Sequence, residues 1–216
     1  MDTLLKILQG GFYITASLVA VLTYLKAKDG LLNTVNTEYQ KRVMDRLAEL
    51  SVALFDEFNR NSDYHWSREH SVEEILNNLH EEIKPYKHEI ITGDRNIIGI
   101  PISKKEQRLY IFLSEVKSDP FIPTDIRYRI VNLIEGRTEA IRSAHIIEIG
   151  KYQDALKLGK YWDTLDTNHD WLHSDILDHL YTLGYGISDI ENKVHEIRAD
   201  IQLYFEGFNP IKKVNK

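Results

Sequence analysis

Residues 7–25, ILQGGFYITASLVAVLTYL, decide how the rest of the chain is read. The stretch carries no charge; Lys6 bounds it on one side, and Lys26 and Lys28 on the other. Nineteen helical residues rise about 28 Å, close to the hydrocarbon thickness of a bilayer. Every later apolar run is broken by charges within a few residues. The pattern predicts one transmembrane helix near the N-terminus and a long soluble remainder.

Three other readings of the stretch are weaker. A cleaved signal peptide wants small residues one and three before the cut, but Leu25 stands two before Ala27 and Leu18 two before Ala20. A buried core helix remains open, because the densest part, residues 12–25, is short enough for one. An interfacial helix needs a strongly charged face, which these residues lack.

Lys/Arg counts near the ends set the expected orientation. Upstream lie Lys6 and the α-amine; downstream come Lys26, Lys28, Lys41, Arg42 and Arg46. The excess places the C-terminal domain in the cytoplasm and the N-terminus outside. Gly11 and Thr15, and Ala16 and Ala20, are spaced i,i+4, which would let two such helices approach closely in lipid.

The composition bounds the remainder. Of 216 residues, 43% are hydrophobic and 28% charged, as expected of a folded domain. Cys is absent, which removes disulfides, thiolate nucleophiles and Cys-bound zinc. The net charge of −6 argues against general or sequence-specific nucleic-acid binding, which needs a basic footprint.

The predicted fold class is mainly α: an anchor over residues 1–28, then a cytosolic helical domain over 29–216 with one small β-hairpin. Residues 26–33, with Gly30, read as a linker. A capping-box pattern at Thr37 and Gln40 opens a helix to about residue 59. Its stripe of Tyr39, Val43, Leu47, Leu50, Leu54 and Phe58 faces a core or a dimer seam. Ser71 and Glu74 open a second helix with Val72, Ile75, Leu76, Leu79 and Ile83 on its face. Two β-branched runs around residues 93–96 suggest a hairpin over 88–102. Ser103 and Glu106 suggest another helix, although LYIFL could be a strand. Pro120 and Pro123 mark a possible internal break near 118–124. A long helical pattern follows from about 125 to 162, with Gly136 and Gly150 as possible kinks, and two more helices cover about 171–183 and 188–205, the last capped by Gly207. The tail NPIKKVNK is basic and could touch anionic headgroups.

Two constellations carry possible chemistry. His169 and His173 lie one turn apart, as do Asp175 and His179, with Asp166, Asp170 and Asp178 nearby. Paired imidazoles on one face can ligate a metal. An EF-hand is excluded, since Trp171 takes the glycine position and Leu177 that of the bidentate Glu. The favoured reading is a solvated acidic helix face with no cofactor. Arg60 and His65 match the Arg-x4-His spacing of HEPN-type ribonucleases, where the pair stabilises charge and moves a proton at an RNA phosphate. No phosphate loop, dinucleotide fingerprint, kinase set or nucleophile elbow is present.

The layout of a bare N-terminal span, the segment NTEYQKRVMDRLAELSVALFDEF and a small charged helical domain resembles the transmembrane effectors of bacterial anti-phage defence systems of the retron type. The resemblance covers the layout and roughly residues 1–66. It implies an inner-membrane toxin, held silent by a reverse transcriptase and its RNA–DNA product and released on infection. It carries over no catalytic residue. The expected partners are the bilayer, further copies of the chain, and a protein or reverse transcriptase–nucleic acid complex. The favoured function is a non-enzymatic membrane effector; an anchored HEPN-like ribonuclease and a membrane scaffold stand as alternatives.

Overall fold

The computed structural model describes the backbone of residues 2–208 and the side chains of residues 9–208. The side chain of Lys6 and the basic tail from Asn209 lie outside them. The chain forms two compact units, 1–46 and 47–216.

Helix α1 (Asp2–Phe55) supplies nearly all of the first unit and opens the second. Among the described residues it is the one helix long and apolar enough to cross a membrane. The linker expected at 26–33 and the helix start at Thr37 are absent, because α1 runs through both. Gly30 costs a helix about 1 kcal/mol relative to Ala, too little to break one with good formers on either side. Thr34 and Thr37 donate their hydroxyls to the carbonyls of Gly30 and Asn33, one turn back, so Thr37 does not cap.

The second unit, the head, is built on α5 (Thr124–Lys157). Helix α4 (Lys104–Ser118), the short α3 (Lys87–Thr92), α6 (Asn168–Thr182) and α7 (Ile187–Gly207) all pack against α5, and α2 (Ser71–Ile83) packs against α6. The apolar stripes largely go inside: Val43, Leu47, Leu50 and Leu54 of α1 are buried, although Tyr39 is 48% exposed. Val72, Ile75, Leu76, Leu79 and Ile83 of α2 are buried, as are Ile126, Ile130, Ile134, Ile141 and Ile149 of α5 and Ile190, Val194, Ile197 and Ile201 of α7. Each such side chain contributes about 1.5–3 kcal/mol by leaving water.

No strand occurs among the described residues, so the hairpin expected at 88–102 is replaced by α3 and an irregular loop. Gly93 ends α3 with φ +86°, and Arg95 donates its backbone N–H back to the Glu89 carbonyl. Beyond it, Gln153 and Arg142 of α5 donate to the carbonyls of Gly99 and Ile100, replacing a strand partner. Ile90 and Ile97 enter the core. Two β-branched runs therefore mark buried anchors on either side of a turn.

Other termini divide by their chemistry. At α4 the capping box is present: the Ser103 hydroxyl accepts from the Glu106 N–H, and the Glu106 carboxylate accepts from the Ser103 N–H. LYIFL lies inside this helix. At α2 the box is absent, since Ser71 is already helical and Glu69 accepts its N–H instead. Gly207 is the last residue of α7, with Phe208 in the capping position. The segment 118–124 is a turn between α4 and α5, held by Arg127 donating to the carbonyls of Asp119 and Ile122. Helix α5 is continuous through Gly136 and Gly150. Gly136 is a seat: a Cβ there would lie 1.8 Å from the Tyr185 hydroxyl.

Candidate functional site

Four charged side chains meet inside the head, brought from distant parts of the sequence. Glu57 sits in the single 3-10 turn Asp56–Phe58 after α1, and Glu69 just before α2. Lys105 lies in the first turn of α4 and Arg137 in the middle of α5. The Lys105 ammonium is 2.9 Å from a Glu57 oxygen and 2.8 Å from a Glu69 oxygen. Arg137 Nη2 reaches Glu57 at 2.6 Å. All four side chains retain only 12–20% exposure.

Burial by itself would raise the Glu57 pKa. The Arg137 and Lys105 charges and their hydrogen bonds outweigh it and bring it down to about 2. Glu69 follows the same logic: burial raises its pKa, and Lys105 together with Ser71 lowers it below the usual carboxylate range. Both acids are therefore ionised at neutral pH, and the cluster sums to no net charge.

A third acid lies next to Lys105 in sequence. Glu106 is fully buried; besides its cap contacts, its Oε2 accepts from His145 Nδ1 at 3.1 Å, while Oε1 has no partner. Its pKa is lowered because His145 and Ser103 offset the desolvation.

The four-charge cluster forms a wall shared by two cavities. The first, about 240 Å³, has Phe58, Trp66, Ile141, Ile176, Leu180 and Tyr185 among its apolar lining, with His173 at its edge. The second, about 290 Å³, lies against Leu54, Tyr64, Phe112, Leu133 and Val194 and takes in Arg108. Glu57, Glu69, Lys105, Arg137 and Ile190 face both. A mostly apolar pocket with a few convergent charged groups is the usual form of a small-molecule site.

The residues singled out from sequence, His173 apart, fall elsewhere. His65 caps the 3-10 turn Trp66–Arg68, its Nδ1 2.8 Å from the Ser67 hydroxyl, and lines a shallow groove with Arg68 and Arg108. Arg60 is exposed and does not line that groove. His173 lines the first cavity, and burial lowers its pKa. His169 pairs instead with Asp170 at 3.3 Å. His179 turns to Glu148 of α5, at 2.9 Å, and not to Asp175. Among the described residues no group of three or more His, Asp or Glu could hold a metal ion. On α1, Gly11, Thr15, Ala16 and Ala20 are all exposed, and Thr15 donates to the Gly11 carbonyl.

Sequence reading missed the charged wall because its members lie up to 80 positions apart. One signal was available: Arg137 falls between Ile134 and Ile141 on the buried stripe of α5, where a charge needs an interior partner.

Compared with family models, curated proteins and solved structures, the chain matches none.

Proposed function

We propose that this chain is a single-pass membrane effector, anchored by the N-terminal part of α1, with the head in the cytoplasm. One observation carries the membrane part. Phe12, Ile14, Leu18, Val19, Val21, Leu22 and Leu25 point all around α1, yet each is 46–70% exposed. A helix apolar on every side needs lipid or other protein around it. None of its apolar window is buried in the described structure. This weighs against a core helix and favours the bilayer.

The effector part draws on the layout's resemblance to retron-type defence effectors. In this reading the head receives a signal from a partner, such as a reverse transcriptase complex, and the spans cluster and breach the bilayer. One span cannot line a pore, so the reading requires several copies. The Lys/Arg excess beyond residue 25 favours the head on the cytoplasmic side of a bacterial inner membrane.

The test has two stages. Alkaline carbonate washing should leave the full-length chain in the membrane pellet; recovery in the supernatant ends the membrane reading. Induced expression with a phage trigger should then collapse the membrane potential, followed by a voltage-sensitive dye. An intact potential with the protein in the membrane ends the effector reading and leaves a scaffold.

A further inference from the structure

The charged wall has an uneven hydrogen-bond account. All four carboxylate oxygens are engaged: the two of Glu57 by Lys105 and Arg137, and those of Glu69 by Ser71 and Lys105. The donors are not used up. A guanidinium has five N–H groups and an ammonium three. Arg137 meets protein only through Nη2, and its Nε and Nη1 are neither bonded nor sealed from solvent. Lys105 spends two of its three N–H groups on the two glutamates. The spare groups are therefore donors, on two cations that line both cavities. An incoming ammonium would find only the second lone pairs of Glu57 Oε2 and Glu69 Oε2, each already beside a cation, whereas an oxyanion would find the spare N–H groups of both cations.

The geometry points to the first cavity as a binding site for a small aromatic oxyanion, a carboxylate or phosphate monoester whose head bonds Arg137 and Lys105. The ring system would lie against Trp66, Phe58 and Tyr185, which offer stacking and edge contacts. The volume of about 240 Å³ suits a one- or two-ring body and not a large cofactor. Such a site would give the head a chemical input of its own. The inference does not depend on the membrane role, and binding is measured without reference to toxicity.

The test is isothermal titration of the full-length chain in lipid nanodiscs, with empty discs as the blank. The probes are 2-naphthoate, naphthyl phosphate and 2-naphthamide, the last having the same body without the charge. The expected result is one site per chain, with either anion at least about ten-fold tighter than the amide. In the double variant Glu57→Gln with Arg137→Gln, which removes the pair without stranding a charge, the anions should fall to the amide's level. Leu177→Trp, at the half-buried rim of the same cavity, should weaken all three while the thermal transition is retained. Anion and amide binding equally, anion binding unchanged in the double variant, or no binding at all would overturn the proposal. Decanoate binding more tightly than 2-naphthoate would also overturn it, since the body would then be an acyl chain.

Discussion

Residues 9–42 and residues 47–208 spend apolar side chains in opposite ways. In the first region, Leu18, Leu22, Leu31 and Val35 are 51–69% exposed. In the second, Leu47, Ile130, Ile149 and Leu156 are at most 1% exposed. Composition does not separate these residues, since Leu occurs in both groups. What separates them is where the charges fall. In the head, charged residues alternate with apolar ones at helical spacing, so one face can turn inward. Between residues 7 and 25 there are none, so no face can be the wet one. The first pattern asks for a protein core, and the second is long and apolar enough to cross a bilayer.

The sharpest way to break this contrast is to place the same charge in each region. Ile149→Arg should abolish cooperative unfolding of the head, because a buried cation there has no partner. Leu18→Arg should leave the head's thermal transition unmoved and instead cost about 3 kcal/mol of membrane insertion. Circular dichroism and carbonate extraction on both variants check the pair. A head destabilised by Leu18→Arg would mean that the span is part of a protein core.

Deleting methyl groups should show the same asymmetry with a smaller effect. Leu156→Ala should cost the head about 2–5 kcal/mol, as fully buried Leu sites do. Leu22→Ala should leave the denaturant midpoint of the head unchanged.

Acid should next unsettle the head, in two overlapping windows. Burial first, then the Lys84 charge, holds the His80 pKa down at about 4. A histidine depressed in the folded state is protonated more readily when unfolded, so its contribution is complete above about 6.5 and is lost as pH falls toward 4. Glu57, held at about 2, contributes fully above about 4.5 and loses that contribution as pH falls toward 2. His80→Phe should shrink the upper window in a plot of stability against pH, leaving the part due to His173. Glu57→Gln should narrow the lower one, to which Glu69 and Glu106 also contribute, and cost up to about 3 kcal/mol at neutral pH, because it leaves Arg137 without a counter-charge while Lys105 keeps Glu69. A flat profile between pH 6.5 and 4 in the unaltered chain would contradict the His80 assignment.

Gly136→Ala should displace the Tyr185 hydroxyl from its seat on α5 and cost about 1–3 kcal/mol by overpacking. Gly150→Ala, with open space around it, should instead be neutral or slightly stabilising. Equal thermal shifts for the two would remove the distinction. Smallest in its effect on folding, Ala16→Leu with Ala20→Leu should reduce cross-linking between spans while leaving the head intact. Unchanged cross-linking would dismiss that face.

Much of the fold was legible because it is local. The stripes of α2, α5 and α7 follow the helical period, and the Ser103–Glu106 cap needs only neighbours. The errors were also local in origin. Gly30 and Thr37 looked like a break and a start, yet neither carries enough free energy to interrupt α1. The runs around residues 93–96 had strand composition but no partner strand among the described residues, and α5 side chains satisfied their carbonyls instead.

The uncharged stretch near the start marked by itself one segment long and apolar enough to cross a membrane, because hydropathy and length need no knowledge of the fold. Periodicity likewise settled which face of α2, α5 and α7 turns inward. Only tertiary structure decided that Glu57, Glu69, Lys105 and Arg137 form one wall and that cavities lie on either side of it. Charge pairing in an interior depends on distances of a few ångströms between residues far apart in the chain, and a linear pattern carries no record of those distances.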